Sequence, residues 1–141
     1  MTEAVGLAAS VVAFITVAAN LSKAAAAVYG SIKDAPSDVR RVETRLKSLE
    51  FILIQIDRTR LMNPEFAGDL AIDRYWASKE AKLKSDFAEF ENFAVQLTAN
   101  TGKAVGRIKW FLSHEDRAKK TLGLLIEDME VLRALLLIME S

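Results

Sequence analysis

An all-α fold, a helical bundle of four to six helices with a central apolar N-terminal helix, is what this sequence predicts. Three observations carry that prediction. Apolar residues recur at three- and four-residue spacing through most of the 141 residues, the repeat of a helix face. No stretch alternates with a period of two. Both prolines, Pro36 and Pro64, fall between the periodic runs.

The first helix covers a run without an ionisable side chain, the 19 residues from Ala4 to Ser22. As a helix it spans about 28 Å, near the ~30 Å hydrocarbon core of a bilayer. Its start, Met1-Thr2-Glu3, is acidic and unlike the basic opening of a secretory signal. The run holds eight strong hydrophobes, six Ala, one Gly and four polar residues. At about −0.3 to −0.6 kcal/mol per strong hydrophobe, insertion gains at most ~5 kcal/mol, and the polar residues offset much of it. Two readings stay open: a helix buried on all sides in a bundle, and one that inserts in lipid. Small residues four apart (Ala4/Ala8, Gly6/Ser10, Ala9/Ala13) suit close packing in either setting.

Lys33-Asp34-Ala35-Pro36 ends that helix, since a proline disfavours helical geometry at the residue before it. The second helix places Val39, Val42, Leu46, Leu49, Leu53 and Ile56 on one face. Its apolar stripe widens over Phe51-Ile52-Leu53-Ile54, which predicts deeper burial there. Asn63-Pro64 and Gly68 mark a loop. A third helix is predicted over about Ile72 to Leu97, with Trp76, Leu83, Phe87, Phe90, Ala94 and Leu97 on its face and Phe93 beside it. After Asn100-Thr101-Gly102, a short amphipathic piece carries Val105, Ile108 and Leu112. Ser113 and Asp116 look like the cap and acidic first turn of a last helix. That helix aligns Leu122, Leu125, Met129, Leu132, Leu136 and Met139. Its end, Leu135 to Met139, is apolar all round, which suggests deep packing or a chain that continued into another domain. The length suits one domain over residues 1–141.

Nineteen Lys and Arg balance nineteen Asp and Glu, and a neutral chain lacks the basic excess of a nucleic-acid binder. The balance hides regional differences. Residues 1–32 carry only Glu3 and Lys23, 33–61 are net +2, 62–100 net −3 and 101–141 net +1. With no Cys, a disulfide framework, a thiol nucleophile and thiolate zinc sites are excluded. The single histidine, His114, has no nucleophile or ligand cluster around it in sequence. Thr101-Gly102-Lys103 lacks the earlier glycine of a phosphate loop, Leu97 standing in its place. The carboxylate pairs Asp69/Asp73 and Asp86/Glu89 lack a Glu-x-x-His companion and read as solvated faces. The expectation is therefore a protein that is not an enzyme and holds no cofactor or metal. Two basic groupings remain. Arg40, Arg41, Arg45 and Lys47 mix with Glu43. Lys103, Arg107, Lys109, Arg117, Lys119 and Lys120 surround Trp110 and Phe111, a pattern that suits anionic lipid headgroups or a plain solvated face.

Two segments, Glu3 to Ala13 and Lys33-Asp34-Ala35-Pro36-Ser37-Asp38-Val39-Arg40-Arg41-Val42, resemble the fungal HeLo-like domain. Gly106-Arg107-Ile108-Lys109-Trp110-Phe111-Leu112 and the closing Leu-rich helix are similar to the same family, so the resemblance spans nearly the whole chain. The Asp-Ala-Pro and Lys-Trp elements are its more specific parts. The resemblance implies the N-terminal domain of a fungal STAND or NOD-like receptor or related cell-death protein. It implies a helical bundle, cytoplasmic at rest, that on oligomerisation releases its apolar helix into the plasma membrane. The trigger in that family is a C-terminal receptor or amyloid-forming module. Carried over by position, the inserting residues are Val5, Leu7, Val11, Val12, Phe14, Ile15, Val17 and Leu21. The rival expectation is a signalling adaptor acting only through helix-face contacts.

Overall fold

The computed structural model describes residues 2–29, 37–99 and 115–140. Four long helices fill these spans: α1 (Thr2–Tyr29), α2 (Ser37–Met62), α3 (Leu70–Ala99) and α4 (Glu115–Glu140). The break at Lys33–Pro36, the short amphipathic piece at 105–112 and the Ser113 cap lie outside the described residues. Between α2 and α3 the chain takes a 3-10 turn, Pro64–Phe66, where proline needs no N–H partner. The Asn63 amide donates to the Thr59 carbonyl at 2.8 Å and closes the end of α2. Gly68 takes φ +90, a conformation L side chains rarely adopt. Asp69 then caps α3, its carboxylate accepting the Ile72 N–H at 3.1 Å.

The helices form an all-α bundle in which each packs against two neighbours. α1 lies against α2 and α3, and α4 lies against the same two from the other side. Leu7, Arg60, Ile72 and Met139 meet at one pole, so α1 and α3 start where α2 and α4 end. The arrangement is thus up-down-up-down, with α1 and α4 on one diagonal. One core joins all four, and its largest enclosed side chains include Trp76, Phe87, Phe90 and Phe93 of α3.

The predicted face of α2 is buried at Val42, Leu46, Leu49, Leu53 and Ile56; the Val39 side chain lies outside the described ones. On α3 every residue of the predicted face is buried. Three expectations need correction. The widened stripe of α2 is not uniformly deep: Ile52 and Leu53 are buried, but Phe51 points outward and is 62% exposed. The apolar end of α4 is not enclosed either, since Leu137 is 67% exposed. The α4 seam also sits to one side of the predicted one. Ala118, Thr121, Leu125, Asp128, Leu132, Leu135 and Met139 face the core with Met129, while Leu122 and Leu136 are half-buried. Neighbouring helices pack by the continuity of a three-four seam, and that seam runs through two polar residues.

Candidate functional site

The candidate site is α1 and the groove that holds it. Leu7, Val11, Phe14, Ala18, Leu21 and Ala25 are buried, a strict four-three alternation that no single stretch of this all-apolar helix announces. Phe14 is the anchor. Its ring stacks on Phe87 with centroids 4.0 Å apart and planes 18° apart, and it lies tilted 6.2 Å from Trp76. Phe87 meets Phe90 edge-on at 5.1 Å, so one residue of α1 docks into an aromatic array belonging to α3. Burying a phenylalanine contributes about 1.5–3 kcal/mol, and each such ring pair about 0.5–1.5 kcal/mol more. The Trp76 indole N–H is buried without a hydrogen-bond acceptor among the described residues.

The eight predicted insertion residues therefore divide. Leu7, Val11, Phe14 and Leu21 face the core, Ile15 and Val17 are half-buried, and Val12 is 51% exposed. The Val5 side chain lies outside the described ones. All-round burial of α1 is thus corrected: it is buried along one side only, because α4 occupies the opposite corner of the bundle and cannot cover it. Facing outward are Ala9, Val12, Ala13, Thr16 and Asn20, and no charge interrupts them until Lys23. The Thr16 hydroxyl donates to the Val12 carbonyl at 3.3 Å, so it places little polar demand on its surroundings. Ser10, by contrast, is buried. By length and composition Gly6–Ala27 can cross a membrane, with a mean hydropathy of 1.6.

The proposed headgroup cluster is only partly visible. Lys103, Arg107, Lys109, Trp110 and Phe111 lie outside the described residues, as does His114. Lys119 and Lys120 are exposed at the start of α4. Arg117 turns inward instead: it donates to the Gln96 side-chain oxygen, lies 3.9 Å from Glu89 and sits 5.6 Å over the Phe93 ring. It ties α4 to α3 by a charge-assisted bond and a cation–π contact.

The most unusual polar group carries no mark of its role in the sequence. Asp128 is fully buried, yet it reads as an ordinary helix carboxylate. Lys82 of α3 reaches it at 3.3 Å and also binds Asp86 at 2.7 Å and Glu127 at 3.1 Å. One ammonium thus serves three acidic side chains. Burial, then the neighbouring Asp86, pushes the Asp128 carboxyl up to about 8 against the pull of Lys82. The hydrogen bond to Asp86 leads the interactions that raise Lys82, against its own desolvation. The available signal was spacing: Asp128 lies three residues after Leu125 and four before Leu132. The two carboxylate pairs are not plain solvated faces, which corrects that expectation: Asp69 caps α3, Asp86 is buried in the Lys82 clamp, Asp73 is buried, and exposed Glu89 lies 3.9 Å from Arg117. Among the described residues no group of three or more His, Cys, Asp or Glu is arranged to hold a metal ion.

Set against known proteins, the chain matches no family model, no curated protein and no solved structure.

Proposed function

We propose that this chain is a HeLo-like cell-death effector domain that releases α1 on oligomerisation and permeabilises membranes, serving fungal incompatibility or innate defence. Its partners are further copies of itself, membrane lipids after activation, and a C-terminal receptor or amyloid-forming module that supplies the trigger. The domain rests in the cytoplasm and acts at the plasma membrane. The observation that carries this reading is the two-sided character of α1. One side holds an aromatic anchor in the core, and the other presents an uncharged face to water. A surface helix of a soluble domain ordinarily carries charge on its outer face. An uncharged outer face costs little to transfer into lipid, so leaving the bundle exchanges one apolar environment for another. Among the described helices α1 packs chiefly against α2 and α3, and leaves without displacing α4.

Val12→Asp separates folding from insertion. Valine and aspartate have similar helix propensities and Val12 is half exposed, so the bundle stays within about 1 kcal/mol of wild type in chemical unfolding. A central aspartate costs about 2.5–3.5 kcal/mol on insertion. Forced clustering on anionic liposomes then releases dye with the wild-type domain and not with the variant. Equal leakage from both proteins, or from neither, contradicts the reading. The exposed Phe51, Leu61 and Met62 of α2 favour the adaptor as a second reading. It predicts partner binding that Phe51→Ala abolishes and Val12→Asp spares.

A further inference from the structure

The face made by α2 and α4 lies opposite the one made by α1 and α3. Phe51 and Ile54 of α2 and Leu137 of α4 are exposed on their helices, and Phe51 lines one groove with Arg133 and Leu136 of α4. Each helix brings a continuous exposed stripe to that groove: Phe51, Ile54 and Arg58 from α2, and Glu130, Arg133 and Leu137 from α4. The apolar members of the two stripes flank the same groove and form one patch, a mark of protein contact on a surface otherwise charged. Arg58 and Glu130 are exposed, and neither is paired among the described residues. α2 and α4 run in the same direction, since both end at the pole where Arg60 and Met139 meet. Arg58 therefore lies about 10 Å from Phe51 toward that pole, and Glu130 about 5 Å from Arg133 away from it. The face carries an unpaired positive charge at one end, an unpaired negative charge at the other, and apolar groups between.

We infer that the α2–α4 face is where two copies of this chain pair, with Arg58 of each beside Glu130 of the other and the Phe51 and Leu137 side chains between. A two-fold axis through the groove exchanges its two ends, so the face is complementary to itself, as an isologous contact requires. A foreign partner has to present both charges in the matching order, whereas a second copy already does. The chain has no net charge, so two copies approach without overall repulsion. Because α1 sits diagonally across from α4, pairing here leaves the uncharged outward face of α1 open. As a route to clustering, the pairing rests on the function proposed above.

Sedimentation equilibrium of the domain, from micromolar to millimolar concentration and without membrane, reads the contact. The expected result is a monomer–dimer equilibrium that weakens at high salt. Phe51→Ala weakens it about a hundredfold, because each dimer loses two rings. Arg58→Glu and Glu130→Arg each weaken it at least about tenfold, since symmetry repeats every like-charge contact. Mixed in equal amounts, the two reversal variants pair again, and so does the chain that carries both changes. All three positions are exposed, so each variant keeps its fold. A domain that stays monomeric throughout leaves the face to a foreign protein and overturns the proposal. So does a dimer indifferent to Phe51→Ala, or a pair of reversal variants that stay apart on mixing. A monomeric domain that still releases dye when clustered by force overturns this inference alone. A dimer that never releases dye under the same clustering overturns the membrane reading alone.

Discussion

Asp128 and Phe14 show at residue scale how the bundle is tied and how its ties respond to conditions. Asp128 keeps a proton in the folded chain up to about pH 8, whereas the unfolded chain releases it near 3.8. Between those values the folded state binds more protons, so raising the pH destabilises it. The contribution is complete below pH 4 and lost as pH rises through 8. The charged groups around it are Lys82 and Asp86 from α3 and Glu127 from α4. Urea unfolding is expected to give lower stability at pH 8 than at pH 5, by more than ~1.4 kcal/mol, the worth of one pH unit of proton uptake. Asp128→Asn, which mimics the protonated form, flattens that dependence. A wild-type profile that Asp128→Asn leaves unchanged contradicts the assignment. Phe14→Ala removes the stacked ring and leaves a cavity beside Phe87, at a cost of about 3–5 kcal/mol in the same assay. Neither environment was legible in the sequence. Asp128 occupies a seam position that polarity alone reads as solvated, and Phe14 is one of eight strong hydrophobes in its run.

At the scale of elements, legibility followed contrast. α2 and α3 alternate apolar with charged residues, so their buried faces could be read directly, from Val42 to Ile56 and from Trp76 to Leu97. In α1 nearly every position is apolar or small, and a stripe cannot be seen without a background. What selects the buried side there is the neighbouring helices, which the sequence of α1 does not contain. In α4 two three-four registers compete, one wholly apolar through Leu122 and Met129, the other through Thr121 and Asp128. Packing brings both partly inward, and the Lys82 clamp makes the polar one tolerable. The same clamp, the Tyr75 hydroxyl donating to the Val131 carbonyl at 3.0 Å and Arg117 lace the seam between α3 and α4, where contact is less extensive than at the others. Two glycines give predictions of opposite sign. Gly123, inside α4 with open space around its Cβ position, gains about 0.5–1 kcal/mol as Gly123→Ala. Gly68→Ala loses more than that, because φ +90 strains an L residue. Thermal unfolding midpoints of the two variants should move in opposite directions.

For the whole molecule, the central claim is that α1 exchanges its groove for lipid when copies cluster. The two sides of α1 then behave differently at rest and alike after release. The chain has no cysteine, so a single introduced thiol reports without background. Ala18 is fully buried on the groove side of α1 and small enough for Ala18→Cys to be tolerated. The decisive measurement is the environment of that thiol, labelled after unfolding and refolding or probed by reagent, before and after forced clustering on anionic liposomes. The expected result is protection from aqueous reagent at rest and quenching by lipid-borne quenchers after clustering, the quenching matched by Val12→Cys on the opposite side. Clustered, membrane-bound protein in which Ala18→Cys stays protected and unquenched would show that α1 never leaves the bundle, and the claim would fall.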